Sequence, residues 1–320
     1  MLRKTSARLV VEKGGQVILE LPAHQVDRVL IFGAIQISTQ AMSFLLDSGI
    51  EVSFLSMKGR LKGKLSPVES KNVFLRLAQY DKSRDEGFKL KMAGDILDAK
   101  IKNQRTLILR YQRNHPGTDF SAQLRTISDS LDALPHKKTI PALMGLEGAS
   151  TGAYFHCFSR MLSPEFVFDK RTRHPPLDPV NSLLSLGYTL LTNEIGSLVE
   201  AMGFDPFIGF LHGLRYGRQS LPLDLVEEFR HPVVDGIVLS LINKGSIGET
   251  DFRRAEEDAL LLDKPAFGRF LTSYEDRMQK PFQYEGTGCQ TSYRSLIRHQ
   301  VEMLEGALLN KKEYGPFLVQ

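Results

Sequence analysis

The sequence predicts an α+β protein in which a small β-rich N-terminal domain, residues 1–68, precedes a larger all-α domain, residues 69–320. Up to about Leu65, short β-branched runs alternate with turn residues; beyond Ser66-Pro67 the apolar spacing becomes helical and stays so to about Leu309. A length of 320 residues with 42% hydrophobic composition supplies cores for one large or two ordinary domains. No repeat or low-complexity tract interrupts it.

The strand-like runs are Leu9-Val-Val, Gln16-Val-Ile-Leu, Arg28-Val-Leu-Ile-Phe and Glu51-Val-Ser-Phe-Leu, with a hairpin expected around Lys58-Gly59-Arg60. One helix interrupts them from Thr39 to Asp47, with Ser38 as cap and Gly49 closing it. Helices follow at Val73 to Gln79, Asp85 to Arg113 and Ala122 to Leu131, and then around Glu147 and Glu227. Between these last two, the Pro- and Arg-rich stretch Arg171 to Pro179 leads into a helix from Pro179 to Met202. Asp178 or Asn181 is its cap and Gly203 its stop.

Net charge is only +4, but residues 57–113 hold 15 Lys or Arg against 6 Asp or Glu. Such a concentration is the footprint of a phosphate-binding surface, and equally of a lysine-rich solvated helix. Lys102, Arg105 and Arg113 align on one helical face, while Lys100 and Arg110 point elsewhere. Cys157 and Cys289 have no partner motif and imply neither a disulfide framework nor a thiolate metal site. The N-terminus lacks a signal h-region and no apolar run is long enough to span a bilayer, so a soluble cytoplasmic protein without membrane contact is expected.

Glu147, His212 and Glu227 are the candidate ligands of one hard divalent cation. Glu147 lies on a helix whose period puts Thr151 and Tyr154 on the same face, so Tyr154 is expected to reach what Glu147 binds. Gly148 and Gly152 each cost about 1 kcal/mol in a helix interior relative to Ala, which predicts close approach of another backbone. Glycines flank His212 and place it on a loop. The next helix is expected to start at an N-capping Ser220, with Leu223, Val226 and Phe229 on its apolar side and Asp224, Glu227, Glu228 and His231 opposite. Asp224 in that first turn is accounted for as a complement to the helix macrodipole. Imidazole and carboxylate donors suit Mn²⁺ or Mg²⁺ better than structural zinc, and the absence of His-Glu-x-x-His argues against a zinc protease.

Four blocks carry a resemblance: Glu147 to Phe155, Arg171 to Leu191, Gly209 to His212, and Leu223 to Arg230. In order and wording they closely resemble the CRISPR-associated integrase and endonuclease family, the first-numbered Cas protein. Leu21 to Gly33, Ser38 to Ile50 and Val52 to Ser56 extend the likeness over most of the chain. The family commonly has a further strand before the equivalent of Ala7, where this chain has six residues.

The resemblance implies a metal-dependent DNA endonuclease and integrase that inserts short foreign DNA into the CRISPR array by transesterification. Mn²⁺ or Mg²⁺ would be held by Glu147, His212 and Glu227, with Asp224 as second choice for the third ligand. Tyr154 and Arg230 join them as catalytic candidates, Arg230 neutralising charge on phosphate oxygens. The implied partners are double-stranded DNA (repeat and captured fragment), a second copy in a homodimer, and the small second-numbered Cas protein. Lys102, Arg105, Arg113, Arg171, Arg173, Asn181 and Tyr188 are the candidate DNA contacts. A hydrolytic nuclease for branched DNA and a non-catalytic architectural DNA-binding subunit are the alternatives.

Overall fold

The computed structural model describes residues 1–319 other than 58, 68–71, 173–174, 256–258, 285 and 287. It separates into two compact units, Met1–Lys71 and Asn72–Gln320. In the first, β1 (Leu2–Thr5), β2 (Arg8–Lys13) and β3 (Gln16–Pro22) form an antiparallel meander. β4 (Arg28–Phe32) and β5 (Glu51–Leu55) pair in parallel across helix α1 (Thr39–Asp47), and β6 (Leu61–Leu65) returns antiparallel to β5. Leu2, Leu9, Ile31, Leu45, Ile50 and Val52 close the core between them. The cap of α1 is the expected one, with Ser38 Oγ accepting from Ala41 N. Gly49 turns the chain at φ +72°, a backbone that glycine takes without strain. Six residues before Ala7 suffice for a strand, since β1 pairs Leu2 with Val11 through Thr5 with Arg8. The expected hairpin joins β5 to β6, Lys58 itself lying outside the described residues. β3 is an edge strand that exposes Val17, Ile18 and Leu19.

The second unit is mostly helical: α2 (Val73–Arg84), α3 (Glu86–Asn114), α4 (Ser121–Ala133), α5 (Ile140–Met161), α6 (Pro179–Met202), α7 (Ser220–Arg230), α8 (Gly236–Asn243), α9 (Lys264–Gln279) and α10 (Tyr293–Leu308). The sequence did not announce its short ribbons, β7 (Phe252–Arg254) with β8 (Leu260–Leu262) and β9 (Phe282–Tyr284) with β10 (Cys289–Thr291). Three-residue strands are too brief to show a period of two. Asp178 caps α6 by accepting from Asn181 N, and Gly203 ends it at φ +97°. Among the described residues no helix is long and apolar enough to cross a membrane.

α3 spans about 44 Å at 1.5 Å per residue and packs against α4, α5 and α7. Its buried stripe runs through Ala93, Ile96, Leu97, Ile101 and Ile108, but also includes Lys100, Asn103 and Gln104. These polar members of an apolar stripe are where the interior does its chemistry. After α7 the helix widens into a π turn, His231–Asp235. Pro232 has no N–H to offer the Glu228 carbonyl one turn back, and Asn103 Nδ2 donates to that oxygen instead at 2.8 Å.

Asn103 also holds the chain's end, donating to Phe317 O (3.1 Å) and accepting from Val319 N (2.8 Å). Glu228 completes this clasp: it accepts from Phe317 N (2.6 Å), Gln300 Nε2 (3.2 Å) and the Tyr314 hydroxyl. Burial pushes its carboxyl up from 4.5 to about 8, against those donors. The folded protein therefore keeps a proton that the unfolded chain releases near pH 4.5, and stability falls as pH rises from there through about 8. Glu228→Gln should abolish this component. Thermal melting of the two proteins across that window should show the wild type losing ground to the variant as pH rises; parallel curves would contradict a buried protonated carboxyl.

Candidate metal centre

Glu147 on α5 and Glu227 on α7 converge on one cation, the ammonium of Lys100 from α3. Lys100 Nζ donates to Glu147 Oε1 and lies 2.7 Å from Glu227 Oε2, while Arg230 Nη2 stands 3.2 Å from Glu227 Oε1. Burial alone would raise the Glu227 carboxyl, but Arg230 and Lys100 outweigh it and hold it at about 2. At Glu147 burial is likewise overcome by Lys100 and by the Thr151 hydrogen bond, leaving the carboxyl below its usual range. Both groups are thus charged acceptors at neutral pH. Glu227 Oε2 is buried and faces the Lys100 ammonium.

The loop from Gly203 to α7 brings in His212, and Asp224 builds that loop. Its Oδ2 accepts from Phe210 N (2.5 Å) and Leu211 N (3.0 Å), and its Oδ1 from His212 N and His212 Nδ1, both 2.8 Å. Since a carboxylate only accepts, the imidazole proton sits on Nδ1 and Nε2 keeps its lone pair for a ligand. Gly209 is required here, because a Cβ would lie 2.7 Å from Asp224 Oδ2 and 2.9 Å from the Ser220 backbone. Asp224 is fully buried and spent on the loop, so the macrodipole account of it is replaced by this one. Ser220 is not the expected N-cap: it is the first residue of α7, and its Oγ donates to Gly213 O at 3.2 Å. The expected polar face of α7 is buried as well, with Asp224, Glu227, Glu228 and His231 turned to separate partners, whereas Leu223 is partly exposed.

Behind the two glutamates runs a continuous polar network. Thr151 Oγ1 donates to Glu147 Oε1 (2.9 Å) and accepts from Gln104 Nε2 (3.1 Å), while Gln104 Oε1 accepts from Ser150 Oγ (2.9 Å). The same amide nitrogen faces His231 Nε2 at 3.1 Å, so His231 carries its proton on Nδ1, 2.6 Å from Asp235 Oδ2. Burial lowers the His231 pKa despite Asp235, in keeping with a neutral ring. Asp235 also accepts from Tyr154 (2.6 Å) and Tyr188 (2.5 Å), and the Tyr188 ring lies under the Arg230 guanidinium at 4.7 Å. Tyr154 therefore does not reach toward what Glu147 binds; fully buried, its hydroxyl is committed to Asp235.

A cavity of about 590 Å³ opens beside Glu147, walled by α5, Arg171, Tyr188 and Arg230. Gly148 and Gly152 line it, and a Cβ at either would meet nothing within 4 Å. Among the described residues no other backbone approaches as expected: these glycines line the cavity on their side of α5. Arg171 bonds Asn181 Oδ1 (2.7 Å) and Ser185 Oγ (2.9 Å) at its rim. Asn181 is fully buried, held by Asp178, Thr172 N and Lys170 O, and so is placed as a strut rather than a surface contact. Tyr188 is 9% exposed and borders the cavity; Arg173 lies outside the described residues.

The family model described as CRISPR associated protein Cas1 matches residues 1–276. The chain belongs to the Cas1 family. Over 291 residues, 87% of this chain and 83% of the relative, it is 37% identical to a CRISPR-associated endonuclease Cas1 of Rhodospirillum rubrum. It is 34% identical over its whole length to one from Thermus thermophilus, covering 94% of that protein. Among solved structures, a casposase bound to integration product superposes with a TM-score of 0.85 at 26% identity, over 98% of this chain and 89% of that one. A chain of a Cas6-RT-Cas1–Cas2 complex superposes at 0.82, also 26% identical, over all of this chain and 35% of that one.

Among the described residues, no three His, Cys, Asp or Glu side chains gather closely enough to hold a metal ion as they stand. The Lys100 ammonium takes the position between Glu147 and Glu227 and stands in for a cation there. Two ionised carboxylates around a shared cation, with an imidazole nitrogen free to coordinate on the neighbouring loop, are a donor set that fits a hard divalent ion. Lys100 corrects the reading of residues 57–113: it is 3% exposed and belongs to the centre. Its place in the α3 stripe, four residues from Ile96 and from Gln104, was the signal that could have found it. Of the others, Lys89, Lys91 and Lys102 pair with Glu86, Asp95 and Asp98 on their own helix, whereas Arg105 and Arg113 are exposed.

Asp224→Ala would strand the N–H groups of Phe210, Leu211 and His212, each costing about 1–3 kcal/mol when buried without an acceptor. Denaturant unfolding should show a loss of roughly 3 kcal/mol or more. Asn at 224, which keeps one accepting oxygen, should lose less; an alanine variant as stable as wild type would mean that the loop does not depend on this carboxylate.

Proposed function

We propose that the protein is a metal-dependent DNA endonuclease and integrase of CRISPR adaptation that joins short foreign DNA to the CRISPR array. The observation that carries this reading is the convergence of Glu147 and Glu227 on one cation position, with the His212 ring on the preceding loop oriented by Asp224. Membership of the Cas1 family and the likeness to a casposase bound to integration product support it. Glu147, Glu227 and His212 Nε2 would hold one Mn²⁺ or Mg²⁺. Such an ion, when bound, polarises a phosphate and favours deprotonation of an attacking oxygen.

The remaining work falls to the chain. Thr151 and Arg230 keep the two carboxylates aimed, and Asp224 keeps Nε2 presented. For the two carboxylates to hold an ion, Lys100 would have to leave its place between them. Arg230, over the Tyr188 ring at the cavity wall, offsets charge growing on the phosphate oxygens. In integration a DNA 3′-oxygen forms the new P–O bond as the target's P–O3′ bond breaks, and the proton lost by the attacking hydroxyl is balanced by one gained at the departing oxygen. With water as nucleophile the same exchange is hydrolysis.

Assembly is part of the proposal. The exposed Val17, Ile18 and Leu19 on edge strand β3 support pairing with a second copy, since an apolar edge is a template for another strand. The matched complex containing Cas2 supports the second-numbered Cas protein as the small partner, and Arg105 and Arg113 are the exposed cations left for duplex phosphates.

Strand transfer of a labelled 3′-hydroxyl oligonucleotide into repeat DNA should require Mn²⁺ or Mg²⁺. It should fall by about a hundredfold or more in Glu147→Ala, His212→Ala and Glu227→Ala, with circular dichroism unchanged. Calorimetric Mn²⁺ binding should weaken in the same variants. Cleavage without joining would leave a hydrolytic nuclease for branched DNA, and DNA binding indifferent to chelation with no turnover would leave an architectural subunit. Light scattering at micromolar concentration should give a dimer; a strict monomer, or a dimer unaffected by Ile18→Lys, would remove β3 from the interface.

A further inference from the structure

The helical unit has a second cavity, of about 380 Å³, walled by α3, the end of α9, β9, the start of α10 and the C-terminal segment. Its charged lining is cationic: Arg110, Arg277 and Lys280 border it beside the neutral Gln283, and no carboxylate is among the described lining residues. Its other wall is aromatic. Phe282 packs against Tyr293 with ring centroids 4.9 Å apart, and Tyr284 against Phe317 at 5.5 Å, so buried rings back the partly exposed Phe282 and Tyr284. Arg277 is anchored, donating through Nε (3.2 Å) and Nη2 (2.5 Å) to Pro232 O and lying 5.1 Å over Tyr293, whereas Arg110 and Lys280 are exposed at the mouth.

We propose that this cavity binds a nucleoside phosphate, with the phosphate at Arg110 and Lys280 and the base against Phe282 and Tyr284. Three cations without a balancing acid select an anion. An aromatic wall of this extent has no use for inorganic phosphate, but suits a flat base, and stacking accepts every base because each has a π face. The volume lies in the range of small-molecule pockets. Arg110 belongs to the basic stretch of α3 but lies off the face shared by Lys102, Arg105 and Arg113, and the cavity accounts for it. An unpaired nucleotide of a DNA strand and a free mononucleotide offer the same chemistry.

The test uses full-length protein in EDTA, which keeps it independent of the metal centre, and a short oligodeoxythymidylate ending in 2-aminopurine. The chain has no Trp, so the probe is read without interference. Stacking should quench the probe. Arg110→Gln with Lys280→Gln, both exposed and harmless to packing, should weaken binding about tenfold and flatten the log–log salt dependence by about 0.7 for each phosphate no longer neutralised. The Lys102→Gln, Arg105→Gln, Arg113→Gln triple should leave the quench intact. Thymidine monophosphate that displaces the probe assigns the site to free nucleotides; failure to displace, with the double variant still impaired, assigns it to a DNA strand. An unquenched probe, an unimpaired double variant, or an equal loss in the triple overturns the proposal. Crosslinking of 5-bromodeoxyuridine to Phe282 or Tyr284 gives an independent reading, and crosslinks confined to other residues count against the site.

Discussion

A lysine ammonium buried between two glutamates is the constraint around which the helical unit is arranged. A charge withdrawn from water is costly unless it is paired and hydrogen-bonded, and Lys100 at 3% exposure is tolerated only because Glu147 and Glu227 face it from separate helices. The dependence is mutual, since without that cation the buried Glu227 and the partly exposed Glu147 would repel and one would take up a proton. α3, α5 and α7 therefore have to meet at this depth and in this register.

The arrangement closes on itself. From Glu147 the bonds run through Thr151, Gln104, His231 and Asp235 to Tyr188, whose ring lies under Arg230, and Arg230 returns to Glu227. Buried polar networks specify a structure through the partners they satisfy, and here the order of donors fixes the His231 tautomer and the orientation of both carboxylates. The π turn after α7 makes this possible. Pro232 opens the helix, so that His231 and Asp235 face inward together and the freed Glu228 carbonyl is taken by Asn103.

Much of the frame was legible locally. α1 and α6 run as their apolar periods and caps predict, because a Ser or Asp cap and a left-handed glycine act within a few residues of where they stand. Ser220 shows the limit of that reasoning: a serine before an apolar run resembles a cap, yet burial under the Gly213 carbonyl gives it a tertiary task. Gly148 and Gly152 show it again, since a glycine facing another helix and a glycine facing a cavity are identical in sequence. Tyr154 lies on the helical face expected of it, but the side chain is long enough for Asp235, 81 residues later, to decide where its hydroxyl ends.

By itself the sequence determined the main strands and helices from Arg8 to Arg230, the change from β-rich to helical texture near residues 66 to 72, the family, and the candidate residues Glu147, His212 and Glu227. These follow from periodicity, capping and local wording, which act over short stretches of chain. Only the tertiary structure decided that Lys100 stands between the glutamates, that Asp224 serves the His212 loop, and that Arg110 borders an aromatic cavity. Each depends on side chains from elements 12 to more than 170 residues apart meeting in space, with the winner set by burial and charge pairing, which no local pattern records.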